Sequence, residues 1–193
     1  MHYVRGDCRG KADAIRVALI AIHDLPARVR DSRMIKSCGP ISAAVIFAVN
    51  NRPEFRQFDF WIGDWDTFES DHSVPESIAR ARVTPIAAGC AIHELYEQTD
   101  GLIGDSILSY DPVRKVWQQT WVDNRGSLIV ISGAFKDGAV TMEGEMRLRN
   151  GKMFLQRITW KAERDGVREF SVRSKDGGKT WEPFFDVLFK KRK

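Results

Sequence analysis

Residues 137–166 read DGAVTMEGEMRLRNGKMFLQRITWKAERDG, and this stretch indicates how the chain folds. The dipeptides Asp137-Gly138, Asn150-Gly151 and Asp165-Gly166 divide it at short intervals. Asn-Gly and Asp-Gly favour tight hairpins, because both central residues of such a turn need positive φ. Between the first two turns, apolar and charged residues alternate with a period of two, which is typical of a half-buried β-strand. The stretch therefore predicts successive antiparallel strands joined by hairpins.

Similar turn signals recur outside this stretch, at Asp100-Gly101, Asp111-Pro112, Asn124-Arg125-Gly126 and Asp176-Gly177-Gly178. The runs between them are rich in Val, Ile, Thr, Phe and Trp, as strands are. No helix-period segment among them is long enough to cover an open sheet, so we expect the sheet to close and lose its edges. The predicted fold class is all-β, an antiparallel up-and-down meander β-barrel of about ten strands. The strands are predicted at about residues 63–70, 76–86, 90–99, 103–110, 115–123, 127–136, 139–149, 152–163, 167–175 and 180–189.

Hairpin loops decide which residues face the barrel interior, because directly opposed residues share a face. If Asn150-Gly151 is a two-residue loop, Arg157 lies opposite Gly144, where the missing side chain leaves it space. This register predicts that Arg157 points into the lumen. The residues predicted to share its inward face are Met142, Met146 and Thr159.

Asn124-Arg125-Gly126 fits a three-residue hairpin loop with glycine in the left-handed conformation. This loop predicts that Trp117, Gln119, Trp121 and Asp123 also face inward. A charged side chain in an apolar barrel needs a partner, because an isolated buried ion is very costly. Two alternatives follow for Arg157: a structural ion pair with Asp123, or a site for an anionic ligand. The predicted ligand-binding residues of the lumen are Arg157, Asp123, Gln119, Trp117, Trp121, Thr159, Met142 and Met146.

Residues 1–50 differ from the rest of the chain. They hold 8 Lys+Arg and 4 Asp+Glu, so they carry the whole net charge of +4, and residues 51–193 are neutral. Since a nucleic-acid binder needs a basic face, we expect no nucleic-acid partner. No apolar run reaches the roughly 18 residues of a membrane-spanning helix, so no stable membrane insertion is expected.

The chain therefore divides into an N-terminal extension, 1–50, and a single barrel domain, 51–193. Met34, Lys36 and the apolar stretch Ile41 to Val49 weakly resemble a secretory signal peptide, so residues 34–50 are interpreted as a possible export signal. The alternative is a plain N-terminal extension. Export would place the protein in the periplasm or outside the cell, and the alternative would place it in the cytoplasm.

Metal, cofactor and catalytic signatures are weak in this sequence. The cysteines Cys8, Cys38 and Cys90 form no CxxC pair, and the four histidines are scattered, so no metal and no cofactor are predicted. His93 and Glu97 share a face of one predicted strand, whereas Glu94 faces the other side. An acid–base pair of His93 and Glu97 is one interpretation, and a solvated pair is the other.

Six motifs follow one another along the chain: FDFWIGDW at 58–65, YDP at 110–112, WQQTWVD at 117–123, RITW at 157–160, SKDGGKTW at 174–181 and FD at 185–186. In their order and spacing, the chain resembles an uncharacterised bacterial family of calycin-like, lipocalin-like barrels over about residues 55–190. The resemblance implies the barrel fold and no particular activity. Within it, Gly63-Asp64-Trp65 matches the Gly-x-Trp with which lipocalin-type barrels close one end.

SKDGGKTW at 174–181 also resembles the Asp-box of sialidase propellers. There the aspartate ties down backbone amides of a hairpin turn. A propeller needs repeated blades and this motif occurs once, so we interpret it as a rigid turn.

Three functions are consistent with such a barrel. The leading one is a binding module for a small apolar or amphipathic ligand, because an apolar lumen with few polar groups is the usual make-up of a ligand pocket. The second is an enzyme, such as an isomerase, cyclase or hydrolase, acting through Asp123, Arg157 and His93. The third is a structural or interaction domain with a filled core. The sequence does not decide between them, and it does not indicate an oligomeric state.

Overall fold

The computed structural model describes residues 52–71, 73, 75–148 and 150–192, and the strands lie between Gly63 and Lys191. The predicted extension 1–50, with its signal-like segment 34–50, lies outside the described residues, as do Cys8 and Cys38. The described strands are Gly63–Glu69 (β1), Ala79–Ile86 (β2), Ala91–Gln98 (β3), Ile103–Asp111 (β4), Val116–Asp123 (β5), Leu128–Lys136 (β6), Ala139–Arg147 (β7), Met153–Glu163 (β8), Gly166–Ser174 (β9) and Glu182–Lys191 (β10). Three short 3₁₀ helices accompany them, Pro53–Arg56, Asp59–Trp61 and Ala87–Gly89.

Each strand pairs antiparallel with the next along the chain, and β10 pairs back to β1. The described residues thus form a closed barrel of ten strands in meander order, which confirms the predicted fold and is consistent with a calycin-like barrel. The closing pair aligns Trp65 with Lys191 and Glu69 with Val187. Closure leaves no unpaired sheet edge, and it encloses the inward side chains of every strand.

Aromatic side chains seal one end of the barrel. Phe58 and Trp61 of the N-terminal segment are fully buried there, against Trp117, Trp160 and Phe189 of the barrel wall. The ring centroids of Phe58 lie 5.1 Å from Trp117 and 5.6 Å from Trp160, and Trp61 lies 5.6 Å from Phe189. These edge-to-face contacts are the favoured aromatic geometry. We call Phe58, Trp61, Trp117, Trp160 and Phe189 the aromatic plug.

Hydrogen bonds orient the indoles of this end. Trp65, the tryptophan of the Gly-x-Trp motif, donates from Nε1 to the carbonyl oxygen of Trp61 at 2.9 Å. Trp117 donates from Nε1 to Oε1 of Gln57 at 2.9 Å. The 58–65 motif therefore serves the fold, because its tryptophans close the barrel floor.

Two of the predicted hairpins have the expected loops. Asp137 and Gly138 both have positive φ, at 52° and 78°, and Lys136 pairs with Ala139 across them. Gly126 has a φ of 81°, and its N–H donates to the carbonyl oxygen of Asp123 across a three-residue loop. Both registers agree with the predictions.

The hairpin around Asn150-Gly151 differs from the prediction by one residue. Arg147 pairs with Met153, and the N–H of Leu148 donates to the carbonyl oxygen of Lys152. Three residues therefore separate Leu148 from Lys152, instead of the predicted two. Because side chains alternate with a period of two, this single residue turns β8 over relative to the prediction.

The turn at 174–181 is the rigid device that its sequence predicts. Asp176 Oδ1 accepts hydrogen bonds from the backbone N–H groups of Lys179 and Thr180, and Oδ2 accepts from Oγ1 of Thr180. Ser174 Oγ accepts from the N–H of Gly178. These bonds, those of Thr180 foremost, lower the pKa of Asp176 to about 2.

Candidate ligand-binding cavity

A cavity of about 440 Å³ occupies the end of the lumen opposite the aromatic plug. Its walls come from strands β1, β3, β5, β6, β8, β9 and β10, and its rim includes the loops that follow β3 and β5. The apolar and aromatic lining residues are Ile78, Tyr96, Leu102, Trp121, Ile129, Ile158, Phe184, Phe185 and Val187. The polar and charged ones are Glu69, Glu94, Gln98, Gln119, Asp123, Arg125, Ser127, Gln156 and Glu169.

Trp121 forms much of one wall of the cavity, and a glycine makes room for it. A Cβ atom at Gly104 would lie 2.0 Å from Cζ2 of the Trp121 ring, so no larger residue fits beneath the indole. On its other side the ring meets Tyr96 edge to face, with centroids 6.0 Å apart. The indole Nε1 donates to Oδ2 of Asp123 at 3.2 Å.

Asp123 organises the loop at the cavity rim. Its Oδ1 accepts hydrogen bonds from the backbone N–H groups of Arg125, at 2.9 Å, and Ser127, at 3.0 Å. Partial burial raises the pKa of the Asp123 carboxyl, but the bonds from Ser127, Trp121 and Arg125 together hold it below its ordinary value. Asp123 therefore lies at the cavity as predicted, as a charged turn-capping residue.

Deeper in the lumen lie buried polar side chains, which are unusual in an apolar barrel core. Glu94 is 3% exposed, and its Oε2 accepts a hydrogen bond of 2.9 Å from Oγ of Ser106. Gln156 is also buried and donates from Nε2 to Oγ of Ser171. Gln119 is 4% exposed, and its Oε1 is buried without a hydrogen-bond partner. A buried acceptor without a partner costs free energy, so Gln119 stands out.

Two carboxyl groups in the lumen have raised pKa values. Burial raises the pKa of Glu94 to about 7, while the Ser106 hydrogen bond opposes the shift and the charge of Asp105 adds to it. Burial, and then the charge of Glu94, raise the pKa of Glu169 well above its ordinary range. The indole N–H of Trp160 weakly opposes this shift, although Nε1 makes no hydrogen bond of normal geometry. Glu94 and Glu169 line the same cavity, and the charge of Glu94 acts on the Glu169 carboxyl.

Five of the predicted lumen residues are inside the barrel and near its axis, as predicted: Trp117, Gln119, Trp121, Met142 and Met146. They divide between two places. Gln119 and Trp121 line the cavity, together with the predicted Asp123 at the rim. Trp117 belongs to the aromatic plug, and Met142 and Met146 belong to the packed core.

The predicted inward positions of Arg157 and Thr159 are wrong. Gly144 pairs with Gln156, and Glu143 pairs with Arg157, so Gln156 takes the inward place. Arg157 lies on the outer wall with 42% of its side chain exposed, where Nη2 is 2.8 Å from Oε2 of Glu143. The ion pair of Arg157 with Asp123 is therefore not formed. The physical reason is the length of the loop: three residues separate Leu148 from Lys152 where two were predicted, and this difference of one residue reverses the faces of β8.

Contacts on the outer wall account for the positions of Arg157 and Thr159, which the sequence analysis predicted to face inward. The guanidinium of Arg157 stacks over the Trp181 ring, 4.0 Å from its centroid. Thr159 forms a hydroxyl–hydroxyl bond of 3.0 Å with Thr141 of the neighbouring strand. A Cβ atom at Gly144 would lie 2.6 Å from the carbonyl oxygen of Val130, so this glycine permits close strand approach and makes no space for Arg157.

His93 also lies on the outer wall, and its partner is not the predicted one. Its Nε2 is 2.7 Å from Oδ1 of Asp105 on β4, and the side chain is 35% exposed. An acid–base pair of His93 with Glu97 is not formed. The enzyme hypothesis built on Asp123, Arg157 and His93 loses two of its three residues from the lumen.

Sequence reasoning missed Glu169, Gln156 and Tyr96, and it left open whether His93 or Glu94 faces the lumen. The missed residues lie on strands whose faces are hard to tell apart by composition. On β9, for example, Val167, Glu169 and Ser171 face inward while Phe170 and Val172 alternate with them. Since both faces carry apolar residues, alternation alone cannot identify the inner one.

Among the described residues, no group of three or more His, Cys, Asp or Glu side chains is arranged to hold a metal ion. In the same part of the chain, no helix is both long and apolar enough to cross a membrane. No protein-family model and no curated protein matches this chain.

Proposed function

We propose that the barrel binds a small amphipathic molecule in the cavity opposite the aromatic plug. The observation that carries the proposal is a cavity of about 440 Å³ that contains the unpartnered buried oxygen of Gln119. Pockets for small ligands measure roughly 300–1,000 Å³ and combine apolar walls with a few polar groups. An unfilled lumen also weighs against the alternative of a structural domain with a filled core.

The proposed ligand is of the class that the sequence suggested, but the alternative of an anionic ligand held by Arg157 loses its support. Arg157 is the residue that would have bound a carboxylate, and it lies outside the lumen. Ligand binding therefore depends on Gln119, Trp121, Tyr96 and the buried carboxyl groups. The resemblance to calycin-like bacterial barrels supports this proposal through the fold alone.

Native mass spectrometry of the freshly purified full chain tests the proposal, because a retained ligand adds a defined mass. Phenylnaphthylamine, a neutral apolar dye that fluoresces when it leaves water, serves as the probe if no molecule is retained. We expect the dye to bind and to change the fluorescence of Trp121. Absence of both a retained mass and dye binding would contradict the proposal.

Ile129 and Val130 provide a matched pair of variants for the same test. They are neighbours on β6, and Ile129 lines the cavity whereas Val130 is 48% exposed on the outer wall. Ile129→Trp should fill the cavity and weaken dye binding by roughly tenfold or more, as loss of a buried contact site does. Val130→Trp should leave dye binding unchanged. Equal effects of the two variants would place the binding site elsewhere.

Catalysis is a second candidate, and one observation favours it. The raised pKa values of Glu94 and Glu169 suit general acid–base chemistry near neutral pH. An isomerase, cyclase or hydrolase acting in the lumen would use these carboxyl groups in place of Arg157 and His93. If the retained molecule is turned over, Glu94→Gln should abolish turnover while binding persists. Turnover that survives in Glu94→Gln and in Glu169→Gln would exclude this role for them.

A further inference from the structure

The polar groups of the inner cavity are mainly hydrogen-bond acceptors. Glu94 and Glu169 present carboxyl oxygens, and Gln119 presents the buried Oε1 that has no partner. Ser106 supplies one hydrogen bond to Glu94, at 2.9 Å. A molecule that fills this space must therefore bring hydrogen-bond donors if it is to satisfy these acceptors.

The side chains that line the cavity include more acidic groups than basic ones. Four of its lining residues are acidic, Glu69, Glu94, Asp123 and Glu169. Among the described lining residues, Arg125 is the one basic side chain, and its Nη2 is 2.8 Å from Oδ2 of Asp100 at the rim. The barrel therefore supplies no buried cation to the two inner carboxyl groups in its described part.

The strand order places these acceptors around the lumen. Glu94 is on β3 and Glu169 is on β9, with β2, β1 and β10 between them along one side of the wall. Gln119 is on β5, two strands from Glu94 along the other side. Acceptors on three separate strands suit a donor with three N–H bonds, and an ammonium group has this number.

We propose that the ligand carries a protonated amine, which binds between Glu94 and Glu169 and donates a hydrogen bond to Oε1 of Gln119. The apolar part of the ligand then lies against Trp121, Tyr96 and Ile158, toward the cavity rim. This inference rests on the proposed function, because it concerns the ligand of the same cavity. One ammonium ion balances one ionised carboxylate of this pair, and so it offsets a desolvation cost that no basic side chain of the described inner cavity offsets.

Proton release should accompany amine binding. Without a cation, burial raises the pKa values of both carboxyl groups, and the charge of Glu94 raises the pKa of Glu169 further, so they hold protons more tightly than free carboxyl groups do. The other titratable groups near them are Tyr96 on β3 and Glu69 on β1, which line the cavity, and Asp105 on β4, whose carboxylate lies on the outer wall beside His93. All three groups are acidic. An ammonium ion stabilises an ionised carboxylate, so its binding should release a proton from the carboxyl groups to solvent.

Three probes of matched carbon skeleton test the inference on the full chain. They are phenylbutylamine, which is cationic, phenylbutanol, which is neutral, and phenylbutyrate, which is anionic. We expect titration calorimetry at pH 7.5 to show the amine binding at least about tenfold more tightly than the alcohol, because charge-assisted hydrogen bonds are about twice as strong as neutral ones. Phenylbutyrate should bind most weakly. Calorimetry of the amine in buffers of different ionisation enthalpy should show a net release of protons.

The variants Glu94→Gln and Glu169→Gln should each reduce the ratio of amine affinity to alcohol affinity. Glu97→Gln is the control, because Glu97 is on the same strand as Glu94 and is exposed on the outer wall. It should retain the full preference. Both glutamine substitutions preserve side-chain size, and the comparison of the three probes on the unmodified protein needs no variant.

Each outcome distinguishes the inference from the proposed function. Equal affinities for the three probes, or tightest binding of phenylbutyrate, would overturn the amine inference and leave the binding function standing. An amine preference that survives in both glutamine variants would also overturn it. Failure of all three probes and of phenylnaphthylamine to bind would overturn the inference together with the proposed function.

Discussion

At the scale of the residue, Glu94 shows how strongly position decides chemistry. Its neighbour His93 faces solvent and pairs with Asp105, whereas Glu94 is buried with Ser106. The alternation of a strand puts a titratable group at each of two successive positions into opposite environments. Burial disfavours the ionised carboxylate, so the pKa of the Glu94 carboxyl rises to about 7.

The pH dependence of stability follows from this shift. The pKa of Glu94 is about 7 in the folded protein against an ordinary value of 4.5, so the folded state binds the proton more tightly. Its contribution to the free energy of unfolding is therefore greatest below about pH 4.5 and falls as the pH rises toward 7. We expect Glu94→Gln to be more stable than the wild type at pH 8 by roughly 1–3 kcal/mol, and to lose this slope.

Urea unfolding between pH 5 and pH 8, compared with Glu97→Gln, measures this effect. The pH range avoids the region near pH 2 where Asp176 titrates. If the wild type gains stability relative to Glu94→Gln as the pH rises through this range, the assignment of a raised pKa is wrong.

Arg157 and Gln156 form a second comparison at this scale, because they are neighbours on opposite faces of β8. Arg157→Met removes a half-exposed ion pair and a cation–π contact, and should lower the free energy of unfolding by about 0.5–1.5 kcal/mol. Gln156→Ala leaves a gap in the core and strands the hydroxyl of Ser171, and should cost about 2–3 kcal/mol. Denaturant unfolding of the two variants measures the order. A larger loss for Arg157→Met would place Arg157 inside the barrel.

At the scale of the element, the segment before β1 closes the floor of the barrel with buried aromatic side chains. The short helices Pro53–Arg56 and Asp59–Trp61 carry Phe55, Phe58 and Trp61 into the floor of the barrel. Buried aromatic residues contribute much of the apolar area of a core, so this segment stabilises the barrel although it adds no strand.

Trp61→Ala should therefore lower the free energy of unfolding by about 3–5 kcal/mol, as large-to-small core substitutions do. Trp181→Ala is the control, because Trp181 lies in the turn at 174–181 and stacks on Arg157 at the outer wall. It should cost about 1 kcal/mol. Thermal unfolding distinguishes them, and a similar loss in both would show that the plug does not hold the floor. The cavity lies at the other end, so dye binding by folded Trp61→Ala should persist.

At the scale of the whole molecule, the barrel has two unlike ends. One end is closed by aromatic rings, and the other holds a cavity with four acidic lining residues. Several charged residues of the strands pair across neighbouring strands on the outer wall, as Arg168 does with Asp186 and Arg173 with Glu182. Such exposed pairs each contribute little to stability. The uncompensated negative charge of the described barrel therefore lies in the cavity, which has four acidic lining residues and one basic lining residue.

Local sequence was sufficient for the strand order and for two of the hairpin registers. Asp137-Gly138 and the 124–126 loop gave correct registers because one loop length satisfies their backbone requirements. Trp117, Gln119 and Trp121 followed directly from that register. The up-and-down order needed no long-range information, since each hairpin pairs its own neighbouring strands.

The site itself depended on tertiary structure. Asn150-Gly151 is compatible with loops of two or three residues, and the choice decides whether Arg157 or Gln156 faces the lumen. Glu94 and Glu169 lie 75 positions apart in the sequence, and they line one cavity because β10 pairs with β1 and closes the wall. Hydrophobic periodicity indicates which residues of a single strand face inward. The net charge of the cavity depends on inward residues from several strands, and only the closed barrel brings these residues together.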